Sequence, residues 1–237
     1  MKVLCIGNSF SEDATSYLSR AAKNQGIDIY AENLFIGGCS LEQHYNNMKS
    51  GEKAYELQIN GESTHTNISL DEALKKEKWD IITIQQASHF SAFYEAYQPY
   101  ASELVKFIRE KQPEAKLYIH QTWGYEDGSQ RLAENGFTAR KDMFAKIKES
   151  YKRLANECKA DGFIPSGQVF ENMAKKGIKC HRDTFHASLG AGRYALALTW
   201  LKALTGTDIT DNSFKDTAEA VSTDEIKKIK EAVNETF

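Results

Sequence analysis

The segment IGNSFSEDA places a serine, Ser9, just after a short apolar run, residues 3–6. A helical pattern begins within three residues of Gly7, so Ser9 lies in a strand-to-helix turn. A hydroxyl beside a helix N-terminus suits a nucleophile, because that end of the helix favours developing negative charge. Two other roles fit the same residues. In the first, Ser9 or Ser11 caps the helix. In the second, the turn binds phosphate, although its single glycine, Gly7, matches neither the G-x-G-x-x-G motif nor the P-loop.

A serine nucleophile needs a general base, and one of the six histidines stands in a suitable pattern. The segment CHRDTFHASLGAG places Asp183 three residues before His186, ahead of a predicted helix. In a turn, this spacing lets the carboxylate hold the imidazole while the other ring nitrogen faces a neighbour. A capped helix start with a surface histidine is the alternative interpretation.

The elements that must position these residues alternate along the chain, which predicts an α/β fold with a parallel sheet covered on both faces. We expect a three-layer sandwich around a flavodoxin-like sheet of about five strands. The predicted strands are 2–6, 27–35, 79–86, 116–123 and 162–165, and the predicted helices include 41–49, 98–111, 139–159 and 187–204.

One segment interrupts this alternation. Residues 54–70 alternate apolar and polar side chains around Asn60-Gly61, a dipeptide typical of type I′ hairpins, and predict an inserted β-hairpin. A cap at Ser222 predicts a closing helix over 223–235. The chain has three prolines and no low-complexity linker, so we expect a single domain over 1–237.

Composition excludes several classes of protein. The net charge is −3 without a basic cluster, so we expect no nucleic-acid partner. No apolar run reaches the roughly 18 residues of a membrane span, and no signal peptide is visible. We therefore expect no membrane association and a cytoplasmic location if Met1 is native, or a periplasmic or secreted one if a signal peptide has been removed. The four cysteines lack metal-site spacing, and we expect neither metal nor cofactor.

Sites in open parallel sheets form beyond the carboxyl ends of the strands. In this chain those ends carry small or amide side chains. They are Asn8-Ser9, Gly37-Gly38, Gln85-Gln86 and Gln121-Thr122-Trp123. Together they predict one polar edge of the sheet.

The order of these motifs resembles the SGNH hydrolases, the GDSL-type esterase and lipase superfamily, over residues 7 to about 204. GNSF stands in place of Gly-Asp-Ser, with Asn8 replacing the aspartate, GGCS forms the glycine block, and RDTFHAS matches Asp-x-x-His. IQQAS replaces Gly-x-Asn-Asp and is similar to the Gln-Gly-Glu-Ser block of sugar acetylesterases. The resemblance points to a poorly characterised branch with glutamine in the third block.

The resemblance implies that Ser9 attacks an ester carbonyl, with His186 as general base and then acid, and Asp183 orienting His186. It further implies an oxyanion hole made of the Ser9 and Gly38 backbone N–H groups and the Gln85 side chain. Gly37 and Gln86 are the alternatives for the last two.

The expected substrate is a small-molecule or carbohydrate ester, most specifically an O-acetyl group on a carbohydrate. Trp123 and Asn8 are expected to contact it, although Trp123 and Tyr125 fit the core equally well. The alternative is a non-catalytic module that binds a carbohydrate or small ligand on an eroded SGNH scaffold. The sequence leaves the oligomeric state open.

Overall fold

The computed structural model describes all 237 residues. A seven-stranded sheet has the order β4-β3-β2-β1-β5-β6-β7. Its strands are β1 (Lys2–Ile6), β2 (Tyr30–Phe35), β3 (Tyr55–Ile59), β4 (Glu62–Ile68), β5 (Ile81–Ile84), β6 (Lys116–His120) and β7 (Gly162–Ile164). The predicted α/β fold with a central parallel sheet is confirmed.

Five of the strands, β2, β1, β5, β6 and β7, run parallel to one another. The run IITI forms β5, and all four of its side chains are buried, as expected for a strand covered on both faces. The carboxyl ends of β1, β2 and β5 therefore meet at one edge of the sheet.

The predicted hairpin is present as β3 and β4, and it extends the main sheet because β3 pairs antiparallel with β2. Asn60 and Gly61 have φ angles of 51° and 85°, as a type I′ turn requires. The hairpin also brings Gln58 of β3 towards the helix that follows β1.

Ten α-helices cover the sheet. They are α1 (Ser9–Thr15), α2 (Leu18–Lys23), α3 (Leu41–Ser50), α4 (Leu70–Lys76), α5 (Tyr100–Lys111), α6 (Gln130–Glu134), α7 (Arg140–Glu157), α8 (Ser166–Lys175), α9 (Ala191–Thr205) and α10 (Thr223–Asn234). Helices α1, α2, α8 and α10 pack with α9, whereas α3, α4 and α5 pack together and α7 packs on β6. A core cluster of 60 buried residues fills the space between these layers.

Helix α9 is the most apolar element, with ten buried residues over its 15-residue length. No helix, α9 included, combines the length and apolar character that crossing a bilayer requires. The closing helix α10 begins as predicted, with a capping box between Ser222 and Glu225.

Candidate active site

Ser9 is the first residue of α1, and its side chain is not needed to cap that helix. Asn8 is the cap instead: its side-chain oxygen accepts the Phe10 N–H at 3.0 Å. Ser11 completes the capping box by accepting the Asn8 N–H at 3.0 Å. The interpretation of Ser9 as the cap is therefore wrong, and so is that of Ser11 as the N-cap. The Ser9 hydroxyl remains free for another partner.

That partner is His186. Ser9 Oγ lies 2.8 Å from His186 Nε2, and His186 Nδ1 lies 2.7 Å from Asp183 Oδ2. Asp183 Oδ1 also accepts the backbone N–H of His186 at 2.8 Å. Because the carboxylate accepts the proton on Nδ1, Nε2 is left with a lone pair directed at the serine hydroxyl. This is the arrangement in which imidazole removes a hydroxyl proton.

Asp183 and His186 share a narrow turn between α8 and α9, not the start of a helix. An isolated antiparallel bridge joins His181 to Ala187 and closes this turn. At its tip Thr184 has a φ of 74°, a conformation rare for a β-branched residue. The tight turn directs the Asp183 carboxylate back towards the imidazole.

Groups that follow β6 fix the turn. The Trp123 indole N–H donates to Phe185 O at 2.8 Å, and the Glu126 N–H donates to Thr184 O at 2.8 Å. His181 Nε2 contacts Gly124 O at 3.1 Å. These bonds tie the turn to the edge of the sheet where Ser9 lies.

A buried carboxylate, Asp13, anchors the same turn from α1. It accepts the Ala187 N–H at 3.0 Å and forms ion pairs with Arg182 and Arg193, at 2.9 and 2.8 Å. Asp13 itself is fully buried, and such a charge requires this degree of pairing. Ser9 and His186 are thereby linked through rigid elements.

The electrostatics favour an ionised Asp183. Partial burial raises the pKa of Asp183, but the hydrogen bonds from the His186 ring and backbone outweigh it, so that the pKa lies below its ordinary value of 3.8. An ionised carboxylate beside the ring stabilises the imidazolium that forms when His186 takes a proton.

The backbone N–H groups expected to form the oxyanion hole are those of Ser9 and of Gly38 or Gly37, and the Gly37 N–H donates no hydrogen bond within the protein. Neither the Ser9 N–H nor the Gly38 N–H donates a hydrogen bond within the protein. Gly38 has a φ of 67°, in the left-handed region, and this conformation is the reason for a glycine there. A Cβ on Gly38 would meet no protein atom within 4 Å, so close packing is not the reason.

The two glutamines of the segment IQQAS, Gln85 and Gln86, donate their hydrogen bonds to other parts of the protein. Gln85 Nε2 donates to Asn8 Oδ1 at 2.8 Å. Gln86 Nε2 donates to Ala96 O at 2.9 Å, and Gln86 Oε1 accepts the Leu41 N–H at 2.9 Å. Both side chains are buried. Both side chains predicted as the third oxyanion donor are thus hydrogen-bonded to other groups, because each amide satisfies buried polar groups of its neighbours.

Gln85 belongs instead to a buried chain of hydrogen bonds behind Ser9. Ser166 Oγ lies 3.0 Å from His120 Nε2, and His120 Nδ1 lies 2.6 Å from Gln85 Oε1. The Gln85 amide donates to Asn8, whose Nδ2 donates to Cys39 O at 3.0 Å. The chain therefore connects β6 and α8 with both the cap of α1 and the glycine block.

Ser9 and His186 open on a cavity of about 510 Å³. It is lined by Asn8, Ser9, Glu12, Phe35, Gly37, Gly38, Ser88, His89, Arg131, Arg182, Phe185 and His186. The sequence indicated Ser9, Asn8, His186 and the two glycines. It gave no separate signal for the rest, because they come from α1, β2, α6, the loop after β5 and the Asp183–His186 turn, which are far apart in the sequence.

Trp123 does not reach the cavity. It is completely buried and stacks between Phe10 and Phe170, at centroid distances of 4.1 and 4.5 Å. Tyr125 is also buried, with its hydroxyl 2.9 Å from Ser88 Oγ. The prediction that Trp123 contacts substrate is corrected: it supports the Asp183–His186 turn from the core. Asn8 lines the cavity, although its side-chain oxygen and nitrogen both serve internal hydrogen bonds.

The model of the family described as "Domain of unknown function (DUF4886)" matches residues 2–236. The chain belongs to the DUF4886 family. A crystal structure of a DUF4886 protein from Bacteroides uniformis is 36% identical, with a TM-score of 0.92, and the match covers 100% of this chain and 94% of that one. Among curated proteins, none matches the sequence.

Solved structures that are less similar in sequence share the fold and include SGNH hydrolases and esterases. A proposed SGNH hydrolase from Slackia heliotrinireducens is 22% identical with a TM-score of 0.63, covering 86% of this chain and 98% of that one. An acetyl-xylooligosaccharide esterase from Geobacillus is 15% identical with a TM-score of 0.56, covering 86% and 94%. The predicted resemblance to SGNH hydrolases is confirmed at the level of the fold.

Proposed function

We propose that this DUF4886 protein is a serine hydrolase of small esters, most specifically of O-acetyl groups on carbohydrates. The observation that carries the proposal is the continuous hydrogen-bonded chain from Ser9 through His186 to Asp183, which ends in an open cavity. A serine, an imidazole and a carboxylate at these distances form the constellation that activates a hydroxyl on many unrelated folds.

In the proposed mechanism, His186 Nε2 takes the hydroxyl proton as Ser9 Oγ attacks the ester carbonyl carbon. The carbonyl oxygen gains negative charge, which the N–H groups of Ser9 and Gly38 stabilise. The imidazolium, held by Asp183, then gives its proton to the departing alcohol oxygen and leaves an acyl-serine. Water attacks the acyl carbon and gives a proton to His186. The imidazolium returns that proton to Ser9 Oγ as the bond between Oγ and the acyl carbon breaks, and the carboxylic acid departs.

The cavity supports the choice of a small substrate, because about 510 Å³ falls in the range of small-molecule sites. The similarity to the Geobacillus acetyl-xylooligosaccharide esterase supports an acetylated sugar as substrate. The glutamine-containing third block is similar to that of sugar acetylesterases, although Gln85 acts behind the site here.

The test is hydrolysis of nitrophenyl acetate and labelling with a fluorophosphonate probe. Ser9→Ala should reduce turnover by about a millionfold, to the assay background, and abolish labelling. Ser19→Ala is the matched control, because Ser19 lies on neighbouring α2, outside the cavity. If wild type hydrolyses no acetyl ester, resists labelling and yet binds sugars, the molecule is the alternative non-catalytic binding module.

A further inference from the structure

The cavity beside Ser9 holds a cation without an ionic partner. Arg131, on α6, takes part in none of the ion pairs of the structure. Its guanidinium lies over the Phe185 ring, 3.8 Å from the centroid. Stacking on an aromatic face fixes the plane of the guanidinium and leaves its edge N–H groups available to a ligand.

The other charges of the cavity have partners. Arg182 is paired with buried Asp13. Glu12 accepts a hydrogen bond from Gln58 Nε2 at 2.9 Å. Gln58 belongs to β3 and Arg131 follows β6, on opposite sides of β1 in the sheet order.

The charge of Arg131 acts on the interior of the cavity. Burial and the nearby Arg131 charge both lower the pKa of His89, which lines the same wall. A cation that disfavours a second cation at this wall favours an anion there.

The position of Phe185 fixes which part of the substrate meets Arg131. The Phe185 ring contacts both groups: its centroid lies 3.8 Å from that of the His186 ring and 3.8 Å from the guanidinium carbon of Arg131. In the proposed mechanism His186 delivers a proton to the leaving alcohol, so that alcohol lies on the His186 side. The oxyanion lies towards Gly38, at the end of β2.

We propose that Arg131 binds a carboxylate carried by the alcohol part of the substrate. The preferred substrates are then acylated acidic sugars, of the uronate class. The guanidinium edge matches a carboxylate in bidentate geometry, and such charge-assisted bonds are stronger than those between neutral groups. This inference rests on the proposed function for the direction of the alcohol, but the binding of the carboxylate does not depend on hydrolysis.

The test compares O-acetylated methyl glucuronoside with O-acetylated methyl glucoside, which differ in a carboxylate. Wild type should have the higher kcat/KM for the glucuronoside. Arg131→Gln should lower that value about ten- to a hundredfold and leave the glucoside unchanged. Arg153→Gln is the matched control, because Arg153 also lies over an aromatic ring, 4.0 Å from the Tyr94 centroid, but outside the cavity.

Calorimetric binding of the unacetylated methyl glycosides to Ser9→Ala separates this inference from the proposed function. Arg131-dependent binding of the glucuronoside supports the inference even if wild type hydrolyses no ester. Equal binding of both glycosides, or binding that Arg131→Gln leaves intact, overturns the inference while ester hydrolysis stands. Tighter binding of glucose phosphate than of the glucuronoside overturns the assignment to a carboxylate.

Discussion

Two histidines, His186 in the turn before α9 and His120 at the end of β6, have similar partners and different surroundings. His186 has a serine hydroxyl 2.8 Å from Nε2 and an Asp183 oxygen 2.7 Å from Nδ1. His120 has a serine hydroxyl 3.0 Å from Nε2 and a Gln85 oxygen 2.6 Å from Nδ1. In both histidines, Nδ1 is within hydrogen-bond distance of a side-chain oxygen, and Nε2 is within hydrogen-bond distance of a serine hydroxyl.

The difference lies in charge and access. Burial lowers the pKa of His120 to about 3, and an amide oxygen gives an imidazolium less support than a carboxylate does. His186 is partly exposed and lines the cavity, whereas His120 is fully buried. In the proposed function, hydroxyl–imidazole geometry alone is not sufficient: an ionised partner and an open cavity distinguish His186 from His120.

The sharpest test of this comparison removes each imidazole in turn. His186→Ala should lower turnover of nitrophenyl acetate by about a millionfold with little change in stability, because it removes the base of the catalytic unit. His120→Ala should keep turnover within about tenfold but lower the free energy of unfolding by about 2–4 kcal/mol, since it leaves a cavity and two unpaired polar groups.

Steady-state kinetics and urea denaturation of the two variants provide the measurement. Far-ultraviolet circular dichroism controls for the fold. A His120→Ala protein that is folded yet as inactive as His186→Ala would contradict the view that the hydrogen bonds of His120 are structural and those of His186 catalytic.

Much of this arrangement could be predicted from local sequence. Strand β1 has the predicted bounds, 2–6, and the Asp183–His186 pair is evident because both residues lie in one turn. Helix α4 was missed although its capping box, Ser69 with Glu72, is visible in the sequence. Helix α8 was missed because its start, after a proline, lacks a side-chain cap.

Other parts of the site depend on contacts between distant segments. The direction of the Gln85 amide is set by His120 on another strand and by the cap residue Asn8. Burial of Trp123 follows from its place between two rings distant in sequence. Arg131 lies in a polar segment, and only its place over Phe185 at the cavity, without an ion pair, distinguishes it from other surface arginines. Local patterns contain none of this information.

A second test makes the catalytic chain more like the buried one. Asp183→Asn replaces the carboxylate with an amide, the kind of group that contacts His120, and should lower kcat about ten-thousandfold. The amide no longer holds His186 in the tautomer with its proton on Nδ1, and it does not stabilise the imidazolium. The variant should unfold like the wild type near neutral pH, since the Asp183 side chain is 45% exposed.

The effect of Asp183→Asn should hold at every pH where wild type is active. The hydrogen bonds from His186 hold the pKa of Asp183 below 3.8, so its carboxylate is ionised near neutrality. The carboxylate loses its charge, and with it the support it gives to the imidazolium, only as the pH falls through this lowered pKa. A pH profile of kcat checks this; wild-type-like turnover of Asp183→Asn at neutral pH would contradict it.

The smallest effect is expected at Gln85, which joins the buried hydrogen bonds of His120 to Asn8, the residue before Ser9. Gln85→Leu removes the donor to Asn8 Oδ1, and we expect about a tenfold loss of kcat with KM unchanged, because the start of α1 is less firmly held. A direct oxyanion donor would cost about a hundredfold or more. Gln86→Leu is the matched control, since Gln86 holds the Leu41 and Ala96 backbones instead.

A double-mutant cycle with Asn8→Ala identifies the path of the effect. If Gln85 acts through Asn8, the loss caused by Gln85→Leu should nearly disappear in the Asn8→Ala background, because residues in one hydrogen-bond chain are not additive. If Gln85 contacts the oxyanion in the enzyme–substrate complex, the loss should persist in full in that background. In that case the Gln85 amide turns towards the substrate during the reaction, and the residues hydrogen-bonded to His120 are not separate from the catalytic ones.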